Sequence, residues 1–301
     1  MKKYFNYFIY ASLIFLIIAL YKLDYLIIPK IYNYYYLTFS ILLVLAGFFI
    51  DAISWYKILV FKGYKANLIQ AITSMGLSVF GKYIPGKLWV VLGRSAYIAK
   101  HKGESEKELG AISLIAQFLS LWTGAIVGFL VLIVLPVQKS YLFIIITIIG
   151  IVLFTTILYL RYVHDLFDYL IKKIFKSNFV IPRLLFKETL KIVHWYFLTW
   201  ICWSTGFYLL VNSLTIDEVS FFSGFSFPLA GTVGLVAVFV PGGLGVRESI
   251  ITGILVLLGI TLSSATAISV VGRLWFMVGE FCIFIFSILH SYITRRRKKL
   301  N

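Results

Sequence analysis

The residues best able to do chemistry in this sequence are ionisable side chains set within long apolar segments. Arg247 and Glu248 directly follow the sequence Pro-Gly-Gly-Leu-Gly-Val at residues 241–246. Glycine lets a backbone turn sharply and approach a ligand closely. A helix that begins at such a turn points free N–H groups and its positive dipole end toward the turn, which favours an anion such as phosphate. The Arg247 guanidinium adds a bidentate hydrogen-bond donor. The glycines of this predicted site are Gly242, Gly243 and Gly245.

Further charges lie in two other apolar segments. Arg273 and Glu280 are seven positions apart, close to two helical turns, so they share a face that we expect to point into the protein. Ionisable residues inside a membrane indicate a functional site by default. In that reading Glu248 pairs with an arginine or carries a coupling proton. The alternative is that the charges pair among themselves and only hold helices together. The cations of the first half of the sequence are Lys82, Lys87 and Arg94.

The elements that position these charges are predicted to be membrane-spanning helices. Of the 301 residues, 61% are hydrophobic, the mean hydropathy is +0.95, and the excess lies in long uncharged runs. The fold class is therefore an all-α integral membrane protein, and the first apolar segment is expected to be a retained span. Asp51 lies near one span end and is either internal or interfacial. Full-length spans are predicted at about 4–21, 37–57, 108–134, 141–161, 190–212 and 264–290.

Two apolar stretches, 67–100 and 219–259, are each interrupted by Pro-Gly. With the chain shifted by 156 positions, these stretches and the residues after them share nine identities in 29 ungapped positions, the Pro-Gly pair included. This pattern predicts an inverted repeat with halves at 1–134 and 141–290, each containing three spans and one broken re-entrant hairpin. Broken helices facing each other across such a repeat are typical of secondary transporters. The alternative is two thinner full spans in each stretch.

The distribution of lysine and arginine predicts the orientation. The net charge of +16 is concentrated in short loops and the tail, so topology and anionic headgroups explain it better than nucleic acid does. Both termini, the basic tail at 291–301 and the central loop are predicted to be cytoplasmic in a multi-pass protein of the cell membrane. Residues 164–183 are predicted to form a cytoplasmic amphipathic insertion or an ordinary loop helix. The loops at 135–140 and 213–220 are predicted to face outward.

No cofactor or metal is expected from the sequence. Cys202 and Cys282 lie in apolar spans and form no ligand or disulfide pattern, and the four histidines are isolated. The glycine-lysine pairs at residues 81–82 and 86–87 lack the spacing of a phosphate-binding loop. Any energy for transport would therefore come from an ion gradient or a lipid gradient.

Two segments resemble the hallmark sequences of a known family. Gly-Lys-Tyr-Ile-Pro-Gly-Lys-Leu-Trp at 81–89 and Pro-Gly-Gly-Leu-Gly-Val-Arg-Glu at 241–248 are similar to those of the flippase-like family named for the transmembrane region of lysylphosphatidylglycerol synthase. The resemblance implies lipid translocation. Aminoacyl transfer is not expected to carry over, because we identify no soluble synthase domain. Val91 and Leu92 stand where the repeat would place Arg247 and Glu248, so the two half-sites are expected to differ.

The sequence therefore predicts a non-enzymatic transporter of an anionic lipid or a polyprenyl-linked glycan carrier. Its phosphate head would enter a polar cavity between the two broken hairpins, while its tails stay in the bilayer. One alternative is an intramembrane enzyme acting on lipid-linked sugar, for which Glu248 and Glu280 are the best acid/base candidates. Another is a non-transporting membrane partner that anchors a glycosyltransferase.

Overall fold

The computed structural model describes residues 30–84, 88–135, 137–159, 165, 169, 185–237, 243 and 245–300, and among these every regular element is a helix. Two short 3₁₀ helices, Val79–Tyr83 and Phe221–Phe225, accompany the α-helices. The predicted span at 4–21 and the insertion at 164–183, apart from residues 165 and 169, lie outside the described residues. The α-helices are α1 Tyr34–Phe61, α2 Leu68–Ser78, α3 Leu88–Lys102, α4 Glu106–Val134, α5 Val137–Tyr159, α6 Phe186–Thr189, α7 Val193–Ser213, α8 Ser226–Val236, α9 Val246–Leu257 and α10 Leu262–Leu300.

Within the described part of the chain, three helices are long and apolar enough to cross a membrane: Tyr34–Phe61, Glu106–Val134 and Leu262–Thr294. They contain the spans predicted at 37–57, 108–134 and 264–290. The spans predicted at 141–161 and 190–212 are also helical, as α5 and α7. Residues 291–300 of the basic tail continue α10.

Both stretches predicted to be broken are interrupted helices. In the first, α2 and the 3₁₀ turn lead to a break before α3, and α2 packs against α3. In the second, α8 ends at Val236 and α9 begins at Val246, and these two helices also pack together. The backbone takes positive φ angles of +68° at Gly243 and +79° at Gly245, which glycine adopts without the strain of a side chain. An added Cβ on Gly243 would lie 2.8 Å from the Gly234 carbonyl oxygen, so this glycine also permits the close approach of α8.

The helices of the two halves pack in a reciprocal pattern. Helix α1 packs along α7. The first arm of the first broken stretch, α2, packs on α10, and the first arm of the second, α8, packs on α4. Each second arm, α3 or α9, packs on the helix that follows it in the chain. Each broken stretch is therefore held between long helices from both halves.

One of these contacts requires a glycine. An added Cβ on Gly128 of α4 would lie 2.6 Å from the backbone nitrogen of Leu229 in α8. Because backbone atoms cannot rotate away, we expect Gly128→Ala to lower the free energy of unfolding by roughly 1–3 kcal/mol. Thermal unfolding in detergent measures this. Gly150→Ala in α5 is the matched control, since nothing lies within 4 Å of an added Cβ there. Equal stability of the two variants would contradict the close contact.

Contacts between connecting segments define two ends of the molecule. Lys62 Nζ pairs with Glu188 Oε2 at 3.3 Å, and the Tyr64 hydroxyl donates to Glu108 Oε2 at 3.1 Å, all at the end predicted to be cytoplasmic. At the other end, the Tyr32 N–H donates to the Ser213 carbonyl at 2.9 Å. Of these residues, Glu188 lies in the central loop, which is predicted to be cytoplasmic, and Ser213 begins the loop at 213–220, which is predicted to face outward.

The orientation prediction is tested by single cysteines at exposed positions. Ile216 is 79% exposed at the end predicted to face outward, and Lys107 is exposed at the opposite end. After Cys202 and Cys282 are replaced, we expect a membrane-impermeant thiol reagent added to whole cells to label Ile216→Cys and to miss Lys107→Cys. Detergent-permeabilised cells provide the control, in which both should react. The reverse pattern in intact cells would contradict the predicted topology.

Candidate functional site

The structure brings five of the predicted site residues together. The 3₁₀ turn after α2 contributes one residue, the start of α9 contributes two, and the middle of α10 contributes two. Their meeting point lies between the breaks of both interrupted stretches and the last long helix. We call these residues the charged cluster: Lys82, Arg247, Glu248, Arg273 and Glu280.

Glu280 is held by the first broken stretch. Its side chain is fully buried, and its Oε1 atom pairs with Lys82 Nζ. The Tyr83 hydroxyl donates to Oε2 at 3.0 Å. A buried carboxylate is stable only when it is paired and hydrogen-bonded, and Lys82 and Tyr83 meet both needs. This arrangement ties α10 to the 3₁₀ turn.

Glu248 is held within the second broken stretch and by α10. Arg273 Nη1 donates to Glu248 Oε1 at 2.8 Å, with both side chains largely buried. Glu248 Oε2 accepts a hydrogen bond of 2.6 Å from the Gly245 backbone N–H. Glu248 therefore caps the start of its own helix. The helix start expected to offer free N–H groups to an anion is thus partly occupied by a carboxylate from the same helix.

Arg247 packs between two aromatic rings. Its Cζ atom lies 4.2 Å from the ring centroid of Phe227 and 5.0 Å from that of Phe276, distances typical of cation–π contacts. Lys82 Nζ lies 4.9 Å from the same Phe276 ring. The charged cluster contains three cations and two carboxylates, so it is net positive. Fixed positive charge in a buried site attracts an anion.

Lys82 and Arg247 line a cavity of about 530 Å³. Its walls are largely apolar and include aromatic side chains such as Phe48, Trp200 and Trp203. Ligand pockets are commonly of this size and largely apolar, with a few convergent polar groups. The cavity is therefore suited to an amphiphilic molecule that carries an anionic group.

Arg94 also lines the cavity but does not join the charged cluster. Its Nε donates to Ser113 Oγ at 2.6 Å and its Nη2 donates to the Ser113 carbonyl at 2.5 Å. The guanidinium lies 4.6 Å from the Trp55 ring centroid. Lys87 and Gly242, also predicted for the site, lie outside the described residues.

The comparison with known families covers most of the chain. The sequence model described as the lysylphosphatidylglycerol synthase TM region matches residues 7–278. The chain belongs to this family. A search of curated proteins found no match. Membership in the lysylphosphatidylglycerol synthase TM family and the long apolar helices together establish a multi-pass membrane protein linked to lipid metabolism.

Several residues of this family member were not identified from its sequence. Tyr83 donates a hydrogen bond to Glu280 of the charged cluster, and Arg247 packs against Phe227 and Phe276. Ser113 accepts a hydrogen bond from Arg94. Tyr83 adjoins Lys82 and was therefore the easiest to suspect. The two phenylalanines resemble many other apolar residues of this chain, so only the fold reveals that they contact Arg247.

Proposed function

We propose that the chain is a flippase-like transporter that moves an anionic lipid or a polyprenyl-linked amphiphile between leaflets. The observation that carries this proposal is a net-positive charged cluster beside a largely apolar cavity, in a membrane protein whose family is linked to lipid metabolism. A charged lipid headgroup crosses hydrocarbon only at great cost. A cavity with fixed cations lowers that cost by replacing the water around the headgroup.

The phosphate of the headgroup would bind at the Arg247 and Lys82 side of the cavity. A guanidinium matches phosphate with two parallel hydrogen bonds, whereas an ammonium offers a compact point charge. The aromatic walls and the apolar residues of α5 that line the cavity, such as Phe154, would contact the acyl or prenyl chains. The headgroup and its tails would thus remain in different environments throughout the movement.

The inverted repeat would supply the conformational change, and the packing supports it. At the offset of 156 positions, Gly47 of α1 corresponds to Trp203 of α7, and an added Cβ on Gly47 would meet the Trp203 side chain. Residues that contact their own repeat partners are expected beside a two-fold axis. Ser113 and Ser269 also correspond, and each hydrogen-bonds to the second arm of its own broken stretch. In this proposal both stretches are re-entrant hairpins that face each other.

The proposed activity is transport without chemistry. A general acid or base must be placed to exchange a proton with the substrate. Glu280 is paired with Lys82, and Glu248 with Arg273, so both carboxylates already serve ion pairs. An enzymatic function would be supported instead if the purified protein hydrolysed or transferred the headgroup of a lipid-linked sugar.

Transport is tested in vesicles that contain the purified protein and a trace of phosphatidylglycerol labelled on an acyl chain near its headgroup. A membrane-impermeant quencher bleaches only the outer-leaflet label in protein-free vesicles. We expect vesicles with protein to lose the inner-leaflet label as well, at a rate set by lipid movement. A labelled phosphatidylcholine, which has no net charge, serves as the substrate control. Equal movement of both lipids, or of neither, would contradict the proposal.

A further inference from the structure

A second polar region lies in the same cavity, formed by side chains of four different helices. We call it the polar region: Asp51 of α1, Arg94 of α3, Gln117 of α4 and Tyr196 of α7, all of which line the cavity. The Arg94 guanidinium contacts the ring of Trp55, which lies one helical turn after Asp51, and Gln117 lies one helical turn after Ser113, to which Arg94 bonds. The described hydrogen bonds of Arg94 go to Ser113, whereas Lys82 pairs with Glu280 in the charged cluster.

The hydrogen-bonding capacity of the polar region is not used up within the described part of the chain. The Tyr196 hydroxyl is buried, with the residue 2% exposed, and no described residue bonds to it. Arg94 is 5% exposed and bonds to Ser113 through Nε and Nη2, which leaves Nη1 without a described protein partner. The Asp51 carboxylate and the Gln117 amide likewise make no hydrogen bond to described residues.

Polar groups with so few hydrogen-bond partners among the described residues indicate a binding site for a ligand. The Tyr196 hydroxyl is fully buried, and leaving such a group without a hydrogen bond is unfavourable. Asp51 and Gln117 are half-buried in the cavity wall, where a bound molecule can reach them. Here polar side chains from four helices line one cavity, and Arg247 lines the same cavity. A molecule that completes their hydrogen bonds would therefore occupy the region.

The chemistry of the four side chains selects among ligands. Asp51 and Arg94 carry opposite charges, so the region has no net charge that would favour a second phosphate or an ammonium over a neutral group. Hydroxyl groups both donate and accept, so they can donate to Asp51 while accepting from Arg94 and Tyr196. The Trp55 and Trp200 rings in the walls offer flat apolar surface to the carbon skeleton of a polyol. The balance of donors and acceptors therefore favours neutral hydroxyls.

We propose that the polar region binds the hydroxyl-bearing part of a lipid headgroup, a glycerol or a sugar attached to the phosphate. This rests on the proposed function, in which the phosphate itself lies against Arg247 and Lys82. Residues of both regions line one cavity of about 530 Å³, and the proposed headgroup extends from one region to the other. The substrate class is thereby narrowed to phosphate lipids whose headgroups carry a polyol.

Binding to the purified full-length protein in detergent tests this inference, followed by native mass spectrometry or by the fluorescence of the cavity tryptophans. Four lipids with identical acyl chains are compared: phosphatidylglycerol, phosphatidylinositol, phosphatidic acid and phosphatidylethanolamine. We expect one or both polyol lipids to bind roughly tenfold more tightly than phosphatidic acid, since two net hydrogen bonds to charged or buried partners contribute about that factor. Phosphatidylethanolamine should show no such gain. The preference between glycerol and inositol identifies the polyol.

The variant Tyr196→Phe removes only the buried hydroxyl. It should weaken polyol-lipid binding roughly fivefold to tenfold, leave phosphatidic acid binding unchanged, and keep or raise the unfolding temperature. Ser40→Ala is the matched control, because the Ser40 hydroxyl is also buried without a described partner but does not line the cavity. It should change none of these affinities.

The outcomes separate this inference from the proposed function. Equal binding of all four lipids, or an equal loss of all four in Tyr196→Phe, would mean that the region holds only ordered water or has a structural role, and would overturn the inference. A polyol preference without movement of lipid in vesicles would support the inference and overturn the transport function. Failure of every lipid to bind would overturn both.

Discussion

Lys82→Met is expected to lower the free energy of unfolding by about 3–5 kcal/mol, because it strands the fully buried Glu280 carboxylate without its cation. Tyr83 would still donate one hydrogen bond to that carboxylate, but a hydroxyl does not balance a charge. The tie between α10 and the first broken stretch would weaken with it. Chemical or thermal unfolding of the purified protein in detergent measures the loss.

Two further variants show whether the loss comes from a stranded charge. Lys82→Met combined with Glu280→Gln removes both charges and should recover most of the stability. Lys62→Met is the matched control, since its lysine is as exposed as Lys82, at 17% against 18%, while its partner Glu188 is 30% exposed. Such an accessible pair contributes about 0–1 kcal/mol. If Lys82→Met were no more harmful than Lys62→Met, the buried pair would not hold the fold together.

Arg247→Ala is expected to abolish lipid movement, and Arg247→Lys to slow it roughly tenfold or more. Lysine keeps the charge but loses bidentate hydrogen bonding to phosphate, which contributes about 1.5–3 kcal/mol, and each 1.4 kcal/mol corresponds to a factor of ten in rate. Lysine also loses the planar stack between Phe227 and Phe276. The initial rate of lipid movement in vesicles, at matched protein content, measures the effect.

Replacing Arg247 does not remove the ion-pair partner of Glu248. Glu248 is already paired with Arg273 and with the Gly245 N–H, so removal of Arg247 leaves that carboxylate its partners. The unfolding temperature of each variant, measured alongside, separates a loss of transport from a loss of folding. Arg296→Ala in the exposed tail is the control and should transport normally. A wild-type rate for Arg247→Lys would contradict a phosphate site at this position.

The helices and their breaks were predictable from sequence because they follow from local chemistry. Long uncharged runs predict helices in a membrane, and proline and glycine at residues 85–86 and 241–243 predict where two of the stretches stop being helical. The charges within apolar segments were recognisable for the same reason, since each is conspicuous against its neighbours. Five of the predicted site residues accordingly meet in one cluster.

The pairing of those charges was not predictable. Arg247 and Glu248 are adjacent in sequence and were candidates for a pair, yet Glu248 binds Arg273, 25 positions later. Arg273 and Glu280 lie on one helix but bind different broken stretches, and the partner of Glu280 is 198 positions away. Which cation reaches which carboxylate depends on how the helices pack, and no local pattern records this.

The polar region was even less predictable from the sequence than the pairing of the charges. Asp51 was read from sequence as either internal or interfacial, and the structure places it in the cavity wall. Gln117 and Tyr196 are neutral residues in apolar helices and gave no signal. Their significance depends on the absence of hydrogen-bond partners among the described residues, which only three-dimensional contacts reveal.

The most direct test of a lipid headgroup site at Arg247 is native mass spectrometry of the purified protein with its co-purified lipids. The wild-type protein should retain one phosphate-containing lipid through detergent exchange, and Arg247→Ala should lose that lipid while keeping the loosely bound bilayer lipids unchanged. Retention of the same lipid at the same occupancy in both proteins would contradict the account, because the cavity would then bind lipid without the guanidinium on which the proposed mechanism depends.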